Sequence, residues 1–230
     1  MPSGAFRGFL AAFFAAGFAV PAFAGERVVI LALGDSTTAG TPFFSSPAEA
    51  PPDGRGDPRG QYAYWIEKAR PQWRVVNLGV NGERTDQIRR RLGPALDAWK
   101  PRALVLLGGV NDLYQDYPAE HPRENLEAMY REASSRGVEV VACTILPYDG
   151  QGQLVRERMQ ETNRWIEAYS REHGLGFCDT AGAAADPADP SRLGGSPDGL
   201  HPDIEHYRRM GEALIPAIEA VLRSKIKDTK

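Results

Sequence analysis

The chain has few histidines and fewer cysteines, four and two in 230 residues, so chemistry built on either has few candidates. Excess positive charge is missing as well: 27 Lys and Arg stand against 30 Asp and Glu, for a net charge of −3. A nucleic-acid partner is therefore not expected, because displacing counterions from phosphates takes a basic field. The one basic run, Arg89-Arg90-Arg91, lies in a segment of helical period and reads as a solvated face. The length suits one domain. A hydrophobic content of 42% and a charged content of 25% are ordinary for a soluble globular chain, and they separate no enzyme from a binding module.

Residues 1–24 differ from the rest. Arg7 precedes an apolar stretch from Phe9 to Val20, and Pro21-Ala22-Phe23-Ala24 follows. A basic start, a short apolar run and a small-x-small site form the layout of a cleavable signal peptide. The run falls short of the roughly 20 residues that span a bilayer, and no cysteine lies near the cleavage site to take a lipid. The expectation is a periplasmic or secreted protein of residues 25–230 with no membrane span once the leader is removed. Its oligomeric state is left open. An oxidising compartment permits a disulfide, but Cys143 and Cys178 each sit in an apolar, strand-like segment, and their pairing is also open.

Beyond the leader, short aliphatic runs alternate with segments of helical period. Strands are expected at 28–33, 74–78, 103–107, 138–146 and 175–178, and helices at 61–69, 85–99, 123–136, 154–173 and 203–223. Pro71 and Pro101 follow helices, while Gly137 and Gly174 stand where a left-handed terminal residue is wanted. Continuously apolar strands joined by helices imply a parallel sheet covered on both faces, hence a three-layer α/β/α fold. Ligands of such sheets bind beyond the carboxyl ends of the strands. Reactive residues should then sit in the loops 34–60, 79–84, 108–121, 147–153 and 179–200.

Each of four of these loops holds a part of one mechanism. The first strand runs into Gly34-Asp35-Ser36, which delivers a hydroxyl to the sheet edge. Read alone, this is a common turn, and with Ala32 and Thr38 around it the Gly-x-Ser-x-Gly elbow is absent. A nucleophilic serine needs a base. His173 ends a helix, where it meets the dipole, and His121 has no carboxylate in a suggestive register. His201 follows Asp198 by three residues in Asp198-Gly199-Leu200-His201-Pro202, so one turn of chain can bring the carboxylate to the imidazole, with Pro202 suited to the first turn of the last helix. An alternative makes Asp198, His201, Asp203 and His206 a metal set. Donors for a developing oxyanion are offered by Gly82, in Asn77-Leu78-Gly79-Val80-Asn81-Gly82, and by the amide of Asn111, in Gly108-Gly109-Val110-Asn111-Asp112.

These blocks, in this order, resemble those of the GDSL, or SGNH, hydrolase superfamily, and the resemblance covers nearly the whole chain after the leader. It implies a flavodoxin-like, five-stranded parallel sheet, with Ser36 as nucleophile and His201 as base held by Asp198. It also implies an oxyanion hole from the Ser36 N–H, the Gly82 N–H and the Asn111 side chain, and no metal or organic cofactor. The partner would be a lipid, glycan or other small ester, cleaved as by a lysophospholipase, arylesterase or carbohydrate deacetylase. Two alternatives remain: an acyltransferase using the same three residues, and a noncatalytic glycan-binding envelope protein. The Pro- and Gly-rich stretch 41–60 is longer than in compact members of the family and is expected to roof the site. Phe43, Phe44, Tyr62 and Trp65 near its ends, with Tyr114 and Tyr117, would supply an aromatic rim.

Overall fold

In the computed structural model, residues 26–227 are described; the leader reading of residues 1–24 lies outside them. Five strands form the central sheet: β1 (Val28–Gly34), β2 (Trp73–Gly79), β3 (Ala103–Leu107), β4 (Glu139–Cys143) and β5 (Gly176–Cys178). Their order is β2-β1-β3-β4-β5, and every pairing is parallel. The expected flavodoxin-like sheet is thus present. The order reverses between β1 and β3, where an open parallel sheet leaves a crevice at its carboxyl edge.

Side chains alternate across the sheet, so each continuously apolar strand feeds two cores. Ile30, Ala32, Val105 and Val141 face α2 (Tyr62–Ala69) and α8 (Ile204–Lys227), packing with Tyr62, Ile66, Tyr207 and Leu214. Leu31, Leu33, Leu104 and Leu106 face the other layer, formed by α3 (Thr85–Trp99), α5 (Glu120–Ser135) and α6 (Gln153–His173). Leu104 is fully buried between Leu31 and Val140 on the flanking strands. Leu104→Ala is accordingly expected to lower the unfolding free energy by about 2–5 kcal/mol, measured by chemical denaturation. A loss below about 1 kcal/mol would mean that the sheet centre is not packed as described.

The ends of elements differ from expectation where backbone partners change. β4 stops at Cys143, not residue 146, although Thr144, Ile145 and Leu146 remain buried. There the Asn163 side chain donates to the Ile145 carbonyl and accepts from its N–H at 2.9 and 2.7 Å, replacing a strand partner. Helix α5 begins at Glu120, with Pro122 in its first turn, where a missing N–H breaks no bond. Pro202 precedes α8; Asp203 accepts from the His206 N–H and caps that helix. Short helices α1 (Ser36–Ala39), α4 (Val110–Tyr114) and α7 (Thr180–Ala184) lie in strand-end loops. The 41–60 stretch is an ordered insertion in which Phe44–Ser45 pairs antiparallel with Arg55–Gly56.

Arg91 does not lie on a solvated face. It bonds to the carbonyls of Gly34 and Leu78 and to the Glu83 carboxylate, because its place on the turn of α3 points it at the sheet edge; Arg89 and Arg90 are exposed. Cys143 and Cys178 sit in register on neighbouring strands, and both are buried, free thiols whose ionisation burial suppresses. Among the described residues no helix is long and apolar enough to cross a membrane.

Candidate active site

Ser36 is the first residue of α1, directly beyond β1, and is nearly buried. The turn into it requires Gly34, where a Cβ would fall 2.1 Å from the Leu107 carbonyl oxygen. Asp35 caps α1 by accepting the Thr37 N–H at 3.0 Å. Farther along, the Tyr62 hydroxyl donates to Thr38 and the Asn77 amide to the Ala39 carbonyl, so the short helix is pinned to the sheet edge.

His201 Nε2 lies 2.9 Å from Ser36 Oγ, and its Nδ1 lies 2.8 Å from Asp198 Oδ2. The other Asp198 oxygen accepts from the backbone N–H groups of Leu200 and His201 at 2.9 and 2.8 Å. Gly199, at φ +77°, supplies the turn between them. Ser196 Oγ donates to the His201 carbonyl at 2.7 Å. Burial pushes the Asp198 carboxyl upward, but the bonds from His201 and Leu200 outweigh burial and hold it below the usual carboxylate range.

The two remaining predicted residues open onto the same space. Gly82 adopts φ +74°, and nothing lies within 4 Å of where a Cβ would be. Asn111, in α4, donates from Nδ2 to the Glu83 carbonyl at 2.9 Å, which fixes its amide plane. Ser36, Gly82, Asn111 and His201 line a cavity of about 220 Å³, along with Tyr114, Tyr148 and Leu200. A larger groove of about 700 Å³ lies along the outer edge of β2 beneath the insertion and shares no lining residue with it.

Several expectations need correction. No residue of 41–60 lines this cavity, so the insertion is no roof. Tyr62 is fully buried and Phe44 nearly so; Phe43 and Trp65 pack against the same core, and Tyr117 lies against His121. Of the proposed rim only Tyr114 reaches the cavity, where its ring meets Tyr148 edge-on at 5.6 Å. Tyr148 went unassigned in the sequence, although its loop, 147–153, was among those expected at the carboxyl edge. His121 does have a carboxylate partner, Asp112 Oδ1 at 2.7 Å, nine residues away and joined to it by the turn into α5. The four residues of the alternative metal set separate into two pairs, Asp198 with His201 and Asp203 with His206. Among the described residues no three His, Cys, Asp or Glu gather to hold an ion.

Asp35 is buried beside Ser36, and burial, reinforced by Asp112 and Glu83, raises its carboxyl from 3.8 to about 7. A folded-state value above the unfolded one means that the folded state holds the proton more tightly. Stability is then fullest below about pH 4 and falls as the pH rises toward 7. Asp35→Asn keeps an acceptor for Thr37 and should remove this dependence. Its advantage over wild type in unfolding free energy is expected to grow between pH 4 and 8, on the order of a few kcal/mol. Parallel denaturation curves across that range would refute it.

A family model for the GDSL-like lipase/acylhydrolase family matches residues 32–209. Esterase TesA of Pseudomonas aeruginosa is 26% identical over 155 residues, covering 65% of this chain and 72% of TesA. The fold is shared with a lipolytic protein of the G-D-S-L family from Desulfitobacterium hafniense, with a TM-score of 0.69 at 23% identity over 83% of this chain and 99% of that one. It is shared as well with a variant of an acetyl-xylooligosaccharide esterase from a Geobacillus, with a TM-score of 0.65 at 22% identity over 84% and 95%. With the family model spanning most of its length, this chain belongs to the GDSL-like lipase/acylhydrolase family and is a hydrolase of ester bonds.

Proposed function

We propose that the chain is a serine esterase for short acyl groups, acting through an acyl-enzyme on Ser36. The observation that carries this reading is the hydrogen-bonded series Ser36–His201–Asp198 opening on a small cavity. An ionised Asp198 accepts, so the proton of His201 belongs on Nδ1, and Nε2 is left to take the proton from Ser36 Oγ. The oxygen attacks the ester carbonyl, and the negative charge grows on the carbonyl oxygen. The Ser36 and Gly82 N–H groups and the Asn111 amide are the donors suited to receive it. His201 then protonates the leaving alcohol, and water, deprotonated by the same nitrogen, releases the acid.

A cavity of about 220 Å³ is below the roughly 300–1,000 Å³ of pockets that enclose drug-sized ligands, and it suits an acetyl or similarly short acyl group. Tyr114 is 61% exposed and Leu200 41%, which gives the alcohol side an open apolar shelf on which a sugar or aryl ring can lie. The acetyl-xylooligosaccharide esterase among the structural neighbours is consistent with an acetylated glycan as substrate. Residues 1–24, read as a leader, would put that substrate outside the cytoplasm.

A fluorophosphonate probe should label Ser36 in the wild type and fail to label Ser36→Ala. On p-nitrophenyl esters, kcat/KM should be highest for acetyl to butyryl and fall for octanoyl and dodecanoyl. Undiminished labelling of the variant would remove Ser36 from the role, and a preference for dodecanoyl would overturn the short-acyl reading. Asn111→Ala should lower kcat by about 10²-fold or more with a small change in KM, because its donor acts on charge present only in the transition state. Steady-state kinetics on p-nitrophenyl acetate decides this.

A further inference from the structure

Of the donors suited to the oxyanion, the Gly82 N–H is the least secured by packing. Ser36 N lies in a helix capped by Asp35, and the Asn111 amide is bonded to the Glu83 carbonyl. Gly82 is exposed and has open space at its α-carbon. A glycine at the tip of an exposed turn has wide conformational freedom, yet a transition-state donor must be held to a fraction of an ångström.

On one side Glu83 is held at its carbonyl by Asn111 and at its carboxylate by Arg91; on the other the restraint comes through the preceding residue. Asn81 is exposed, and its backbone N–H and both polar side-chain atoms are taken by the insertion. Glu49 Oε1 accepts from Asn81 N at 2.8 Å, and the Glu49 carboxylate accepts from Nδ2 at 2.8 and 2.9 Å. Thr41 Oγ1 donates to Asn81 Oδ1 at 2.6 Å. The same insertion holds the start of the turn, where Ser46 Oγ donates to the Gly79 carbonyl at 2.5 Å. Its own base is anchored, since the Tyr207 hydroxyl of α8 donates to the Thr41 carbonyl. A carboxylate that grips both a main-chain N–H and the side-chain amide of one residue fixes that residue's backbone as well as its rotamer, and charge makes these bonds the stronger kind.

We infer that the 41–60 insertion is a clamp on the Asn81–Gly82 turn, and that Glu49 is its positioning residue, setting the direction of the Gly82 N–H for the reaction. The inference rests on the esterase mechanism proposed above. Glu49 lines no part of the Ser36 cavity, so it acts on the rate through Asn81 and not by touching substrate.

The test compares the wild type with Glu49→Ala, Glu49→Gln, Asn81→Ala and the Glu49→Ala/Asn81→Ala pair on p-nitrophenyl acetate, with fluorophosphonate labelling of each. Losing an oxyanion donor outright costs about 10²–10³-fold, so a donor left loosely aimed should cost about tenfold in kcat with KM within about twofold. Glu49→Gln keeps one acceptor and should recover part of the loss. Asn81→Ala leaves the backbone N–H bond to Glu49 and should cost less than Glu49→Ala, and the double variant should lose less than the product of the two single losses, because the Nδ2–carboxylate bonds are cut in each. Unchanged kcat in Glu49→Ala, a rise in KM alone, or losses that multiply in the pair would each overturn the clamp. Should Glu49→Ala fail to fold, Glu49→Gln gives the reading without altering the cavity, which Asn81 itself lines. A wild type unlabelled at Ser36 would instead sink the mechanism itself, whatever Glu49 does.

Discussion

Ser36→Ala is expected to lower kcat by on the order of 10⁴–10⁶-fold while the fold and ground-state binding persist. The side chain is small, it sits at the start of a four-residue helix, and its hydroxyl bonds to His201 Nε2, so alanine disturbs little else. What remains should be the activity that the oxyanion donors provide without a nucleophile, roughly 10³–10⁴ above the uncatalysed reaction. Thermal unfolding and single-turnover kinetics separate the two effects. A variant that keeps more than about a hundredth of wild-type kcat would mean that another group forms the acyl-enzyme.

The second large effect is expected at Asp198. Asp198→Asn leaves an oxygen able to accept from the Leu200 and His201 N–H groups, so the turn should survive. The amide nitrogen, however, would face His201 Nδ1 as a donor. That favours a proton on Nε2, which then cannot accept from Ser36, and the expected cost is about 10⁴-fold in kcat. Asp198→Ala should cost a similar amount but also destabilise the turn, because two backbone N–H groups lose their acceptor. The distinguishing measurement is kcat beside unfolding free energy for both variants. Near-wild-type kcat in Asp198→Asn would show that His201 takes its orientation from elsewhere, the Ser196 bond to its carbonyl being the remaining constraint.

The sheet was legible in the sequence because its signal is local. Strands such as 103–107 are apolar at every position, which only a sheet covered on both faces requires, and the observed strand has those bounds. The 138–146 run misled for the same reason: burial continues past Cys143, but the hydrogen bonds move to Asn163, and hydrophobicity reports burial and not bonding partners. The aromatic residues misled likewise. Phe44, Tyr62 and Trp65 are near a loop in the chain, yet large apolar rings go where area can be buried, and here that is the core beneath the insertion.

Sequence by itself determined the parallel sheet, the glycine-bearing strand ends and the four blocks that bring polar residues to one edge, since each depends on neighbouring residues and on backbone conformation. The Asp-x-x-His spacing alone fits two histidines, although the Asp198-Gly199-Leu200-His201 block singled out His201. His201 follows Asp198 by three residues and His206 follows Asp203 by three, and both pairs are bonded, at 2.8 and 2.7 Å. The tertiary structure shows the physical difference between them. His206 lies within α8, its ring against the backbone of Gly194, whereas His201 stands in the turn before the helix and reaches Ser36 across 165 residues of chain. The clamp on Gly82 is decided in the same way, by Glu49 and Asn81 meeting over 32 residues. Contacts at such separations depend on how the loops at the carboxyl edge pack on one another, and no local pattern encodes that.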